Sequence, residues 1–162
     1  MQPEGWESHL PTPRSGTGVR IAVLVARFNS SITEELCAGC IEGLIEHGVE
    51  QADIHVAYVP GAWELPQAAR AAAATARFDA IVALGCVIRG ETSHFDYVAG
   101  EASTGLGAVA RSIDVPLIFG VLTTDTVDQA EARATRTRGN KGRESAVSAL
   151  AMIDFNVDLE SP

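Results

Sequence analysis

Ala80-Ile81-Val82-Ala83-Leu84-Gly85-Cys86-Val87-Ile88-Arg89-Gly90-Glu91-Thr92-Ser93-His94-Phe95-Asp96 runs from an unbroken apolar stretch into a cluster of glycine, charged and hydroxyl residues. A continuous apolar run of this length is the pattern of a strand buried on both faces, as in a parallel sheet covered by helices. In such sheets ligands bind just beyond the carboxyl ends of the strands. The polar cluster from Arg89 to Asp96 falls at that place. An imidazole (His94) close to a hydroxyl (Thr92) there can move protons near neutral pH.

The same unit recurs outward along the chain. Val19 to Ala26, Asp53 to Val59 and Pro116 to Leu122 read as further strands. Ser31-Ile32-Thr33-Glu34 has the form of a capping box, and Ile32, Leu36, Cys40, Ile41 and Leu44 follow at helical spacing up to Gly48. Helices are expected over Trp63 to about Ala76, Ser93 to about Ile113, from Thr126-Val127-Asp128-Gln129 onward, and over Asn140 to about Asn156. Strands alternating with helices predict right-handed crossovers and a mostly parallel four-stranded sheet with helices on both faces, a three-layer α/β/α sandwich. Residues 1–18, with Pro3, Pro11 and Pro13 among three glycines, read as an extended or flexible arm. Residues 19–158 form one domain in this reading, and 159–162 a short tail.

Composition narrows the function. The 162 residues suit one domain with a single core. A net charge of −9 argues against nucleic acid as a main partner, which demands a basic face. No segment approaches the roughly 20 apolar residues of a membrane span, and the N-terminus lacks the features of a signal peptide. Three cysteines in such a chain fit a reducing cytoplasm. Cys37-Ala38-Gly39-Cys40 has the spacing of a redox pair, but it lies within a helix and reads as core. His9, His47 and His55 have no metal-ligand spacing. Neither a phosphate loop nor a dinucleotide fingerprint follows the first strand.

Four strand exits converge on one crevice: Arg27-Phe28-Asn29, Pro60 to Pro66, the stretch ending at Asp96, and Phe119-Gly120 with Thr123-Thr124. Phe28 and Trp63 either pack as ordinary apolar residues or wall a site for a flat ring. Glu64 either complements a helix dipole or binds ligand hydroxyls. Arg133, Arg136, Arg138, Lys141 and Arg143 form the one dense basic segment of this acidic chain. Such a run is usually a solvated helix face. Lys141 in Gly139-Asn140-Lys141-Gly142, however, sits at a helix N-terminus, where anions are favoured.

With these motifs in order, the chain from about Val19 to Asp154 resembles the 6,7-dimethyl-8-ribityllumazine synthase family. The resemblance rests on Arg27-Phe28-Asn29, Gly61 to Pro66, Gly85 to Thr92, His94 to Tyr97, Phe119 to Thr124, Gln129-Ala130 with Arg133, and Gly139 to Gly142. It implies a flavodoxin-like sheet and a transferase of riboflavin biosynthesis. The implied reaction condenses 5-amino-6-(D-ribitylamino)uracil with 3,4-dihydroxy-2-butanone 4-phosphate without a cofactor or metal. Phe28 or Trp63 would stack on the pyrimidine. Asn29, Glu64 and Lys141 would hold the ribityl chain and ring polar atoms, with Gly61, Ala62, Val87 and Ile88 completing the pocket. Arg133, with Gly90, Glu91 and Thr92, would take the phosphate. His94 would shuttle protons, oriented by Glu144.

The resemblance also implies homo-oligomers. Sites would lie between subunits of a pentamer, with Phe119, Arg133 and Lys141 supplied by the neighbour. Twelve pentamers would close into a sixty-subunit icosahedral shell that could enclose a riboflavin synthase. One departure bears on assembly: the family usually reads Ala-Gly-x-Lys-x before the glycine, and this chain reads Ala134-Thr135-Arg136-Thr137-Arg138. Two competing readings are a flavodoxin-like flavin-binding module and a non-catalytic shell-forming relative. The first lacks a Ser/Thr-rich phosphate loop after strand one, and intact His94, Arg133 and Lys141 speak against the second.

Overall fold

A computed structural model describes residues 12–137 and 139–162. Four strands, β1 (Ile21–Ala26), β2 (Ile54–Val59), β3 (Ala80–Ile88) and β4 (Leu117–Thr124), pair in the order β2-β1-β3-β4, and every pairing is parallel. Five helices connect and follow them: α1 (Ser30–Glu46), α2 (Leu65–Ala74), α3 (His94–Ser112), α4 (Val127–Ala134) and α5 (Lys141–Glu160). This is the expected α/β/α sandwich with a flavodoxin-like parallel sheet.

The layers follow from side-chain alternation along the strands. Ile21, Val23 and Val25 of β1 join Val82 and Leu84 of β3 under α1, α4 and α5. The intervening residues, Ala22, Leu24, Ala26, Ile81 and Ala83, pack under α2 and α3 through Leu65, Ala69, Ala102 and Leu106. Alanine dominates this second face, so its helices can approach the sheet closely. Among the described residues the sheet ends at β2 on one side and β4 on the other.

On the first face α1 runs along α5 at very short range. A Cβ on Gly142 would come within 1.8 Å of the Leu36 carbonyl oxygen, and one on Gly39 within 2.2 Å of the Asn140 side chain. Asn140 is 2% exposed. Its Nδ2 donates to the carbonyls of Glu35 (2.8 Å) and Ala134 (2.6 Å), while its Oδ1 accepts the Arg143 N–H (3.0 Å). One amide therefore caps α5, satisfies the end of α4 and ties both to α1. Arg136 adds a fork to Glu35 and Glu42 of α1, and Arg143 pairs with Glu46.

Several expected boundaries shift. The capping box at Ser31 to Glu34 does not form: α1 starts at Ser30, after Asn29 in a left-handed conformation (φ 60°) with no side-chain cap. Ser31 lies inside the helix, and Thr33 is buried. The box at Thr126 does form, with Thr126 Oγ1 accepting the Gln129 N–H. Gly48 ends α1 with φ 94°, as expected. The last helix continues to Glu160, through the boundary placed at 158. Of the N-terminal arm, residues 1–11 lie outside the described residues. The remainder is held down: Arg14 N–H bonds Asp154 (2.7 Å), its guanidinium pairs with Asp158, and Gly16 N–H bonds the His47 carbonyl (2.7 Å). No helix among the described residues is long and apolar enough to cross a membrane.

Cys37, Cys40 and Cys86 are all buried free thiols. Burial raises all three: Cys37 to about 11, with help from Glu34, Cys86 to about 11, and Cys40 further still. The thiolate, the reactive form, is thereby suppressed at neutral pH.

Asn140→Ala removes three hydrogen bonds, one of them to the buried Ala134 carbonyl that ends α4. It is expected to cost about 2–4 kcal/mol in chemical denaturation. Gly142→Ala, which forces backbone against backbone, should be still more damaging. In the native protein the three thiols should react with a disulfide reagent at pH 7–8 far more slowly than in denaturant, and the difference should narrow as pH rises toward 11.

Candidate active site

The carboxyl ends of β1, β2 and β3 open into a cleft of about 640 Å³. After β1, Asn29 takes the left-handed conformation that Asn tolerates better than most residues. Its Nδ2 donates to the Cys86 carbonyl of β3 at 2.8 Å. That bond holds the Asn29 side chain across the sheet edge, and Phe28, 72% exposed, lines the cleft beside it.

After β2 the chain makes a 3-10 turn, Ala62–Glu64, before α2. Glu64 Oε2 accepts the Gly61 N–H at 2.9 Å, so this carboxylate closes the turn as well as lining the cleft. Gly85 of β3 lies under the turn, where a Cβ would crowd the Leu65 side chain at 3.2 Å and meet Ala62 at ordinary contact distance. Ala62 is buried beneath, and Trp63 stands 53% exposed at the rim.

Val87 and Ile88 at the end of β3 line the cleft with Gly90 and Thr92 beyond it, and His94 opens α3. The His94 backbone N–H reaches Thr92 Oγ1 at 3.4 Å. Tyr97, 70% exposed, is three residues further and shares the His94 face of the helix. Tyr97, Phe95, Val98, Pro60 and Cys86 are lining residues that the sequence reading did not assign. The spacing of Tyr97 from His94 was the available signal. Exposed Phe28, Trp63 and Tyr97 around one concavity are unusual unless a flat apolar ligand or a partner covers them.

Not every expected site residue is here. Glu91 is exposed and does not line the cleft. Phe119, Arg133, Lys141 and Glu144 line a separate depression of about 370 Å³ along β4, between α4 and α5. There Lys141 Nζ pairs with Glu144 Oε2 at 2.7 Å, and Arg133 Nη1 donates to the Gln129 carbonyl at 2.9 Å. The two depressions have no lining residue in common. Within one chain, therefore, Glu144 does not orient His94, and Arg133 does not face the loop from Gly90 to Thr92.

The motif Gly139 to Gly142 also divides. Asn140 and Gly142 are accounted for by the α1–α5 contact and Gly139 by its positive φ of 87°, so of these four residues Lys141 is the one that brings charge to the depression, beside Arg133 and Glu144. Among the described residues no group of three His, Cys, Asp or Glu side chains could hold a metal ion.

The arrangement comprises an aromatic cleft with an imidazole and amide and carboxylate groups, and a second, basic depression beside an open sheet edge. One surface suits a heterocycle bearing hydroxyls, the other an anion. Residues 18–156 match the family model described as 6,7-dimethyl-8-ribityllumazine synthase, and the chain belongs to that family.

Proposed function

We propose that this chain catalyses the condensation of 5-amino-6-(D-ribitylamino)uracil with 3,4-dihydroxy-2-butanone 4-phosphate. The products are 6,7-dimethyl-8-ribityllumazine, phosphate and water. The observation that carries the reading is the division of a family-matched chain into an aromatic cleft holding His94 and a basic depression holding Arg133 and Lys141.

The chemistry fits the groups present. The 5-amino group attacks the ketone and loses one water to form an imine, the imine eliminates phosphate to leave a new carbonyl after tautomerisation, and the second amine closes the ring on that carbonyl with loss of a second water. Each step is a proton transfer or elimination on an already reactive partner, so holding the two together supplies a large share of the rate. Phe28 or Trp63 would stack on the pyrimidine. Backbone groups of Gly61, Ala62, Val87 and Ile88 would meet its ring edge. Asn29 and Glu64 would hold the ribityl hydroxyls. His94 would carry protons between nitrogen and oxygen centres. Arg133 would take the phosphate dianion through charge-assisted hydrogen bonds, facing Gly90 and Thr92. Lys141, steadied by Glu144, would neutralise charge nearby.

For both surfaces to meet one pair of substrates, the basic depression of one chain must close over the cleft of its neighbour. The open β4 edge beside Arg133 and Lys141 supports that arrangement. A cyclic pentamer repeats the same contact without a free end, and sixty-subunit shells built of such rings are the assembly we propose. In that setting Glu144 would act near His94 only across the subunit boundary. A cytoplasmic location suits the three unpaired thiols.

Mixing purified protein with both substrates should generate the fluorescent lumazine. Tight stoichiometric binding of flavin mononucleotide without turnover would instead favour a flavin-binding module, which the aromatic cleft could also serve. His94→Ala should lower kcat by about 10²-fold without abolishing it. Arg133→Ala should act differently, raising KM for the phosphate substrate by about 10–100-fold. Steady-state rates against each substrate separate the two, and an undiminished His94→Ala rate would count against the assignment.

A further inference from the structure

Arg89 leaves β3 at the mouth of the cleft yet is not part of its lining. Its guanidinium bridges two segments. Nε donates to Asp125 Oδ1 at 3.0 Å, and Nη1 donates to Asp96 Oδ1 at 3.3 Å. The guanidinium carbon also sits 4.2 Å from the centre of the Phe95 ring. The Arg89 backbone N–H donates to the Thr124 carbonyl at 2.9 Å, so main chain and side chain pull toward the same corner.

The residues it grips are informative. Phe95 and Asp96 follow His94 directly, in the first turn of α3. Asp125 sits at the start of α4, where its N–H donates to Gln129 Oε1 at 2.8 Å, beside the Thr126 cap. One side chain thus joins the turn bearing His94 to the corner that launches the Arg133 helix. The segment from Gly90 to His94 is exposed throughout, so little packing holds it otherwise.

We propose that Arg89 is a positioning residue for His94, fixing the first turn of α3 against the β4–α4 corner through Asp96, Phe95 and Asp125. The inference rests on the reading of His94 as the proton-transferring group. It does not rest on stability: the Arg89, Asp96 and Asp125 side chains are 45%, 62% and 69% exposed, and ion pairs so exposed contribute little to folding. Their worth lies in geometry, because a small misplacement of an acid–base group costs rate steeply. Lysine could reach one carboxylate but could not reproduce the fork and the stacked plane.

The test is a double-mutant cycle on the full-length chain, following lumazine formation from both substrates. Arg89→Ala, Arg89→Lys and Asp125→Asn are each measured with His94 present and in the His94→Ala background. With His94 present, Arg89→Ala should lower kcat by about tenfold, and Arg89→Lys and Asp125→Asn by less. In the His94→Ala background the same changes should alter kcat by less than about twofold, because the group being positioned is gone. Thermal midpoints should stay close to that of the parent chain. Equal losses in both backgrounds would overturn the proposal, as would a normal rate for Arg89→Ala while His94→Ala is slow. A His94→Ala chain as fast as wild type would overturn this role and that of His94 together.

Discussion

Parallel pairing in the order β2-β1-β3-β4 is the constraint on which the rest depends. It brings the carboxyl ends of β1, β2 and β3 to one edge of the sheet, so the loops carrying Phe28, Trp63 and His94 share a cleft although they are far apart in sequence. Among the described residues it also leaves β4 as an edge strand, which carries Phe119 and lies beside Arg133 and Lys141. An unpaired edge is a liability unless something covers it. In the proposed assembly the neighbour that covers the edge also completes the site, so oligomerisation and catalysis meet one physical need.

The second determinant is the close contact of α1 with α5. Gly39 and Gly142 bring the helices together, and the buried Asn140 amide holds the end of α4 at the same point. Arg133 projects from α4 and Lys141 from the first turn of α5, so the basic depression takes its shape from that junction. Arg136, in a stretch that departs from the family pattern, binds Glu35 and Glu42 of α1. Thr135 and Thr137, which stand where the family pattern has glycine and lysine, hydrogen-bond each other at 3.0 Å.

What could be read from sequence followed from the range of the interactions. The strands were legible because burial on both faces writes an unbroken apolar run, as in Ala80 to Leu84. The Thr126 cap was legible because donor and acceptor are three residues apart. Ser31 misled for a related reason: its spacing to Glu34 matched a local pattern, while α1 starts at Ser30 with the Asn29 carbonyl accepting the Ile32 and Thr33 N–H groups and the Asn29 side chain bonded to the distant Cys86 carbonyl. The work of Asn140 was hidden, since one of its partners, Glu35, is 105 residues away. Reading Gly139 to Gly142 as an anion site credited to binding what is mostly packing. Tyr97 was within reach of helical spacing and was passed over. The separation of Arg133 and Lys141 from His94 was already implied by the family resemblance, whereas that of Glu144 followed only from the fold, because sequence order does not say on which side of β4 a helix returns.

The central claim is that a working site takes its aromatic, His94-bearing half from one chain and its Arg133-bearing half from another. The most direct measurement co-assembles His94→Ala chains with Arg133→Ala chains and assays lumazine formation at low phosphate-substrate concentration, where each parent is nearly silent. Random mixing in equal amounts should restore intact sites at about one in four, raising activity well above the average of the parents. Activity that stays at that average would contradict the account and place both halves of the site in a single chain.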